Sequence, residues 1–152
     1  MDPVRFIAKL LPPWRSSSSS PEPGENHERW LGRHGENLAA RYLRANGFKV
    51  LYRNFRASHG GEIDIVCRDR ALNTLVFVEV KTRSSDAHGS PAEAVNRDKQ
   101  HYIIRGALAW LRMLDNPDVL FRFDIVEIVM RRGKAEINLI PDAFQLREPY
   151  IY

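Results

Sequence analysis

Apolar and polar residues alternate strictly in two stretches near the middle of the chain, Glu62 to Arg68 and Leu75 to Thr82, on either side of the polar segment Asp69-Arg70-Ala71-Leu72-Asn73-Thr74. Alternation with period two marks a β-strand with one buried face, and two such runs around a polar turn predict a hairpin. Successive side chains point to opposite faces, so Glu62, Asp64 and Val66 are expected on one face of the first strand. Leu75, Phe77, Glu79 and Lys81 are expected on one face of the second. If the hairpin is symmetric about its turn, Asp64 lies opposite Glu79 and Glu62 opposite Lys81, a register that a one-residue slip would undo.

Around this hairpin the pattern changes period. From about His27 to Asn46 the apolar residues Leu31, Leu38, Ala39 and Tyr42 form one helical stripe, and Gly47 is placed to stop it. Glu36 falls at the edge of that stripe, where a carboxylate can lean into a cleft or into water. Phe48 to Phe55 reads as a strand, and Ala57-Ser58-His59-Gly60-Gly61 as the turn into the hairpin. After Lys81 comes a polar loop, Thr82 to Pro91, of the composition that often carries function. A second helix is expected from Pro91 or Ala92 to Leu114, with Val95, Ile103, Trp110 and Leu114 on its core stripe and, unusually, Lys99 on the same stripe. Asn116-Pro117 breaks it. Phe121 to Met130 and Glu136 to Ile140 read as two further strands joined by the turn Arg131-Arg132-Gly133-Lys134. The order helix, three strands, helix, two strands predicts an α/β fold with a mixed central sheet flanked by helices.

Composition narrows the class. A chain of 152 residues, 43% hydrophobic and 28% charged, is expected to form one globular domain with a real core. No run approaches the eighteen or so apolar residues of a membrane span. Residues 1–26 differ from the rest: a short apolar patch ends at Pro12-Pro13, followed by Ser16 to Ser20 and Pro21, Pro23 and Gly24, which is linker composition. They read as a disordered extension before a domain over residues 27–145, with residues 146–152 as a tail. The lone Cys67 leaves no intrachain disulfide framework and no cysteine-rich zinc site, so a reducing, cytoplasmic setting is expected. The net charge of +4 is concentrated: Arg29, Arg33, Arg41, Arg44, Lys49, Arg53 and Arg56 lie within one stretch that holds a single acid, Glu36. A basic region beside an acidic cluster suits a polyanionic partner.

The acidic cluster needs an explanation of its own. Two carboxylates about 5 Å apart repel by roughly 3 kcal/mol at an effective dielectric near 20. Against a fold stability of about 5–15 kcal/mol, such a pair calls for a compensating positive charge. Lys81 is one source, and a hard divalent cation with oxygen ligands is another. The plainer reading is a wet sheet face with cross-strand ion pairs worth less than about 1 kcal/mol each. Val66, Leu75 and Phe77 on the same face argue instead that the acids are partly buried.

The spacing of Asp64, fourteen intervening residues and then Glu79-Val80-Lys81 resembles the D…(D/E)xK signature of the restriction-endonuclease-like nucleases, the PD-(D/E)xK superfamily. More closely, the chain resembles the YraN-like family of small predicted nucleases. The resemblance lies in GENLAARYL at Gly35 to Leu43, NFR at Asn54 to Arg56, GEIDIV at Gly61 to Val66, FVEVKTR at Phe77 to Arg83, GSPAEAVNRDKQ at Gly89 to Gln100 and RFDIVEI at Arg122 to Ile128. It implies a restriction-endonuclease-like αβββαβ core and association with nucleic acid, DNA first. By position, Asp64 and Glu79 match the metal-holding carboxylates, Lys81 the motif lysine and Glu36 the acid on the first helix. Glu62 matches a position able to supply a further metal ligand. The superfamily's proline before the aspartate is replaced here by Ile63.

The implied activity is metal-dependent hydrolysis of phosphodiester bonds with Mg²⁺ or Mn²⁺, Asp64, Glu79, Lys81 and Glu36 forming the catalytic set. Arg53, Arg56, Arg83, Lys99 and Gln100 are then the candidates for nucleic-acid contacts. Relatives of this fold that cut junctions act as dimers, and cutting two strands would favour a two-fold homodimer, although the sequence leaves the oligomeric state open. The alternative is an accessory protein that keeps the nuclease fold and binds nucleic acid without cutting it.

Overall fold

In the computed structural model, which describes residues 20–84, 95–132 and 134–146, the chain runs α1 (His27–Ala45), β1 (Phe48–Arg56), β2 (Glu62–Asp69), β3 (Thr74–Ser84), α2 (Arg97–Met113), β4 (Phe121–Arg131) and β5 (Lys134–Phe144). The strands form one five-stranded sheet in chain order. Neighbouring strands are antiparallel except β3 and β4, which are parallel and need α2 as their crossover. This is the mixed α/β order expected from the sequence, consistent with a restriction-endonuclease-like core. The expected disorder of residues 1–19, the 85–91 part of the polar loop and residues 147–152 of the tail lie outside the described residues.

Capping residues set the helix limits. Asn26 caps α1 by accepting the Arg29 N–H at 2.8 Å, and Gly47, at φ 87, takes the left-handed turn that carries the chain into β1. Asn96 caps α2 by accepting the Lys99 N–H at 2.9 Å. The second helix therefore starts at Arg97, later than the Pro91 or Ala92 that periodicity suggested, because Asn96 holds extended backbone. Val95, expected on the helix stripe, precedes the helix but is buried as expected. At the other end of the fold β5 continues to Phe144, beyond the Ile140 read from alternation. Pro141 is tolerated there because β5 is an edge strand.

Each face of the sheet carries its own core. Beneath α1 lie Ala39, Ala40, Leu43, Ile65, Cys67, Val76, Val78, Val126 and Ile128. Beneath α2 lie Tyr52, Phe55, Ile63, Val66, Leu75, Phe77, Ile103, Trp110 and Phe123. Burying an aliphatic or aromatic side chain of this size contributes about 1.5–3 kcal/mol, so the sheet is held from both sides.

These two lists correct the expectation that Glu62, Asp64 and Val66 share one face of an unbroken alternation, because Ile63 packs in the same core as Val66. Ile63 and Ile65 do not share a face: Ile63 packs under α2 and Ile65 under α1. The same reversal occurs in β1, where Arg53 faces Asn37 of α1 while Phe55 packs under α2. Its origin is Asn54, which sits at φ 55 between the pairs Arg53↔Ile65 and Phe55↔Ile63. A left-handed residue rotates the strand out of its pleat, and asparagine is one of the few side chains that tolerates this. The residue facing Asn54 across the ladder, and so at the reversal in β2, is Asp64.

Candidate active site

The strand pairings show where the sheet opens. β1 stays paired with β2 as far as Arg56↔Glu62, and β3 stays paired with β4 as far as Ser84↔Met130. Between β2 and β3 the ladder ends at Ile65↔Val78. Its register, extended by one residue, sets Asp64 opposite Glu79, as the symmetric hairpin predicted. The two central strands thus diverge at the acids, and the fork between them is the site.

Asp64 closes the base of the fork. Its Oδ2 accepts the Val80 N–H at 2.8 Å, replacing a ladder hydrogen bond with a side-chain one. Asp64 and Glu79 are both buried, 7% and 4% exposed, which makes them unusual among acids and excludes the wet-face reading. Burial, then the charges of Glu79 and Glu36, push the Asp64 carboxyl well above the usual carboxylate range, against the Val80 N–H, which favours the ionised form.

Two ammonium groups answer this charge. Lys81 Nζ and Lys99 Nζ each lie 3.4 Å from Glu79 Oε1, the first from the same strand and the second from the first turn of α2. Burial opposes the charge on Lys99, but Glu79 and then Asp64 outweigh it and raise its pKa. The sequence anomaly of a lysine on a core stripe is thereby resolved: its ammonium is an acid-site partner.

Glu36 enters from the opposite side. Burial raises its carboxyl above the ordinary range, partly offset by Arg53 and by a hydrogen bond with Asn54. Arg53 is itself buried and donates to Asn37 Oδ1 at 2.8 Å, so it stands behind Glu36 as a counter-charge. Glycine contacts fix both helices against the fork. A Cβ on Gly35 would lie 1.8 Å from Thr82 Oγ1, so α1 approaches β3 as only a glycine allows, one residue before Glu36. A Cβ on Gly61, at φ 112, would lie 2.4 Å from Gly106 N, so α2 crosses the start of β2 at equally close range.

The remaining expected residues are spread around the opening. Glu62 is half-buried with Arg56 3.8 Å away, and Arg56 itself is largely exposed. Arg83 is ion-paired with Glu127. Gln100 turns back to donate to Val95 O at 2.9 Å. Sequence reasoning missed Asn54 and the Gly35–Thr82 contact. An asparagine inside a strand pattern is a signal for the first, and a glycine inside a helical stripe for the second.

Among the described residues, no three His, Cys, Asp or Glu side chains are already grouped as ligands for a metal ion. Asp64 and Glu79 nonetheless fit as two hard oxygen donors. They are buried side by side, and burial together with the like charges of Glu79 and Glu36 disfavours the Asp64 carboxylate, a penalty that a bound cation would offset. Among the described residues no helix is long and apolar enough to cross a membrane.

The family model for the uncharacterised protein family UPF0102 matches residues 35–128, the interval from Gly35 on α1 to Ile128 on β4. A UPF0102 protein of Geobacter metallireducens is 47% identical over 120 residues, covering 79% of this chain and 96% of the relative. Counterparts in Geobacter sulfurreducens and Chlorobaculum tepidum are 46% and 45% identical, each over at least 80% of this chain. With both acid-bearing strands inside the matched interval, the chain belongs to the UPF0102 family, the family of YraN.

Proposed function

We propose that this protein is a metal-dependent nuclease that hydrolyses phosphodiester bonds in DNA or structured nucleic acid at the fork between β2 and β3. The observation that carries the reading is the buried Asp64–Glu79 pair with two lysine ammonium groups on Glu79. An ordinary fold gains nothing from burying two acids that repel, whereas phosphodiester hydrolysis uses such a pair to hold a cation. A divalent cation held by Asp64 and Glu79, with Glu62 or Glu36 turning in as a further ligand, would supply Lewis-acid polarisation of the phosphate and a more acidic bound water.

The chain's own residues have separate tasks. Lys81, 30% exposed at its side chain, reaches from Glu79 towards solvent and is placed to orient the attacking water or to neutralise charge on the scissile phosphate. Lys99 offers a second ammonium from α2. Glu36, its carboxyl raised above the ordinary range by burial and backed by Arg53, is placed to exchange a proton at the edge of the site. Arg56 and Arg83 supply positive charge around the opening for the phosphate backbone. Cutting two strands calls for two such sites, so a two-fold dimer is part of the reading.

One observation favours a second reading. Lys81 and Lys99 already neutralise Glu79, so the site is electrostatically complete with ammonium groups alone. A nucleic-acid-binding accessory protein with the nuclease fold would have this arrangement. A cleavage screen over single-stranded, duplex, flap and branched DNA and RNA with Mn²⁺, beside Asp64→Ala, separates the two. Cation-dependent products lost in the variant support hydrolysis, and salt-dependent binding without products supports the accessory role.

A further inference from the structure

Lys99 and Gly106 are seven residues apart on α2, two turns, and so face the same way. Lys99 reaches Glu79 on one arm of the fork, and Gly106 rests on the other, where an added Cβ would lie 3.0 Å from Glu62 N. Tyr102 stands between them, one turn after Lys99 and one before Gly106. Its ring lies beside the Lys99 ammonium, which itself lies 3.4 Å from Glu79, so it stands at the edge of the fork. Tyr102 is 37% exposed, and Lys99 Nζ lies 5.4 Å from the centroid of its ring. An exposed aromatic ring is held in place by a cation that is itself bound to the acid site.

We propose that Tyr102 is a substrate-contact residue whose ring stacks on a nucleobase beside the scissile phosphate, and that the substrate carries an unpaired or unstacked nucleotide at the cut. This rests on the nuclease reading. In continuous duplex both faces of every base are covered by neighbours, so a protein ring stacks only where the base stack is broken, as in a single strand, a flap or a branch. Aromatic rings that bind single strands do so through base faces and without reading sequence. The Lys99 ammonium beneath the ring couples base position to Glu79, so a stacked base sets the adjoining phosphate over the acids.

Binding is measured by fluorescence anisotropy in the Asp64→Asn background, which prevents cutting. The probes are labelled oligothymidylate, an abasic strand of the same length and a duplex. Tyr102→Ala is expected to weaken oligothymidylate binding about tenfold and to leave the abasic strand and the duplex unchanged, while Tyr102→Phe binds as the parent does. In the cutting-competent chain, Tyr102→Ala is expected to raise KM for single strands more than it lowers kcat. Equal losses on oligothymidylate and abasic strand, or no loss on either, would overturn the inference, since Tyr102 would then act only through Lys99 or not at all. A parent that cuts while Tyr102→Ala behaves identically overturns this inference alone. A parent that binds bases through Tyr102 and cuts nothing overturns the nuclease reading instead.

Discussion

Asp64 accepts a hydrogen bond from the backbone N–H of Val80 at 2.8 Å, across the point where β2 and β3 part. The same carboxyl is both a structural acceptor for β3 and the most strongly disfavoured buried anion of the site. These two roles separate on mutation. Because its folded pKa is raised, the stability Asp64 contributes is fully present below its unfolded value of about 3.9 and is lost as pH rises through the folded value. At neutral pH its charge is a net cost. Asp64→Asn keeps an acceptor for Val80 and removes that charge, so it is expected to raise stability near pH 7 by about 1 kcal/mol and to flatten the decline with rising pH. Asp64→Ala strands the Val80 N–H and is expected to be about 1–3 kcal/mol less stable than Asp64→Asn. Urea denaturation across pH measures both, and an Asn variant less stable than the parent at pH 7 would contradict the assignment.

Removing either ammonium from Glu79 acts in opposite directions on cation binding and on catalysis. Lys99→Met is expected to tighten Mn²⁺ binding about fivefold, the scale of a partly exposed ion pair at about 1 kcal/mol. It is expected to lower cleavage, with a larger loss for Lys81→Met, about a hundredfold. Calorimetric titration with Mn²⁺ set beside cleavage rates gives both signs. Weaker Mn²⁺ binding in both variants would show that the lysines do not compete with a cation.

The contact between Gly35 and Thr82 positions Glu36. Gly35→Ala puts a Cβ against the Thr82 side chain and is expected to cost about 1–3 kcal/mol and to reduce cleavage by moving α1 off the sheet. Thr82→Ala removes Oγ1, the nearest clashing atom, and is expected to restore part of the stability in the double variant. A double-mutant cycle with no coupling would place the glycine requirement elsewhere.

A buried acid outside the site provides the control. Asp124 is fully buried, pairs with Arg122 at 2.9 Å and accepts the Asp142 N–H at 2.9 Å at the β4–β5 irregularity. Arg122 also reaches Asp69 at 3.1 Å. Every lone pair in use there is structural. Asp124→Ala is expected to lose about 3–5 kcal/mol of stability with cleavage per folded molecule unchanged, as thermal melts and rates at low temperature will show. Loss of cleavage without loss of stability would mean that this network serves the site.

Much of this arrangement was legible in the chain because alternation and helical period fix which face a residue takes. The hairpin register and the burial of Asp64 and Glu79 followed from the apolar neighbours Val66, Leu75 and Phe77. The stripe position of Lys99 allowed a stem that snorkels to water or an ammonium that reaches an acid site, and the structure shows the second. What alternation could not convey is the reversal at Asn54 and Asp64, since one left-handed residue moves Ile63 to the opposite face without altering the pattern of letters. The buried counter-charge of Arg53 and the exposed ring of Tyr102 depend on how helices cross strands, which Gly35, Gly61 and Gly106 decide through contacts far apart in sequence. Asp124 was read only as part of a family segment, because a buried acid that is paired and one that is catalytic look alike in sequence.

The central claim is that Asp64 and Glu79 hold a cation for phosphodiester hydrolysis. The most direct measurement is Mn²⁺-dependent cleavage of a panel of single-stranded, flap, branched and duplex substrates by the parent and by Glu79→Gln, which keeps the side-chain volume and removes the charge. The expected result is cutting by the parent, strongest on substrates with unpaired nucleotides, and a loss of about a thousandfold in Glu79→Gln. A parent that leaves every substrate intact, or a Glu79→Gln variant that cuts at the parental rate, would contradict it.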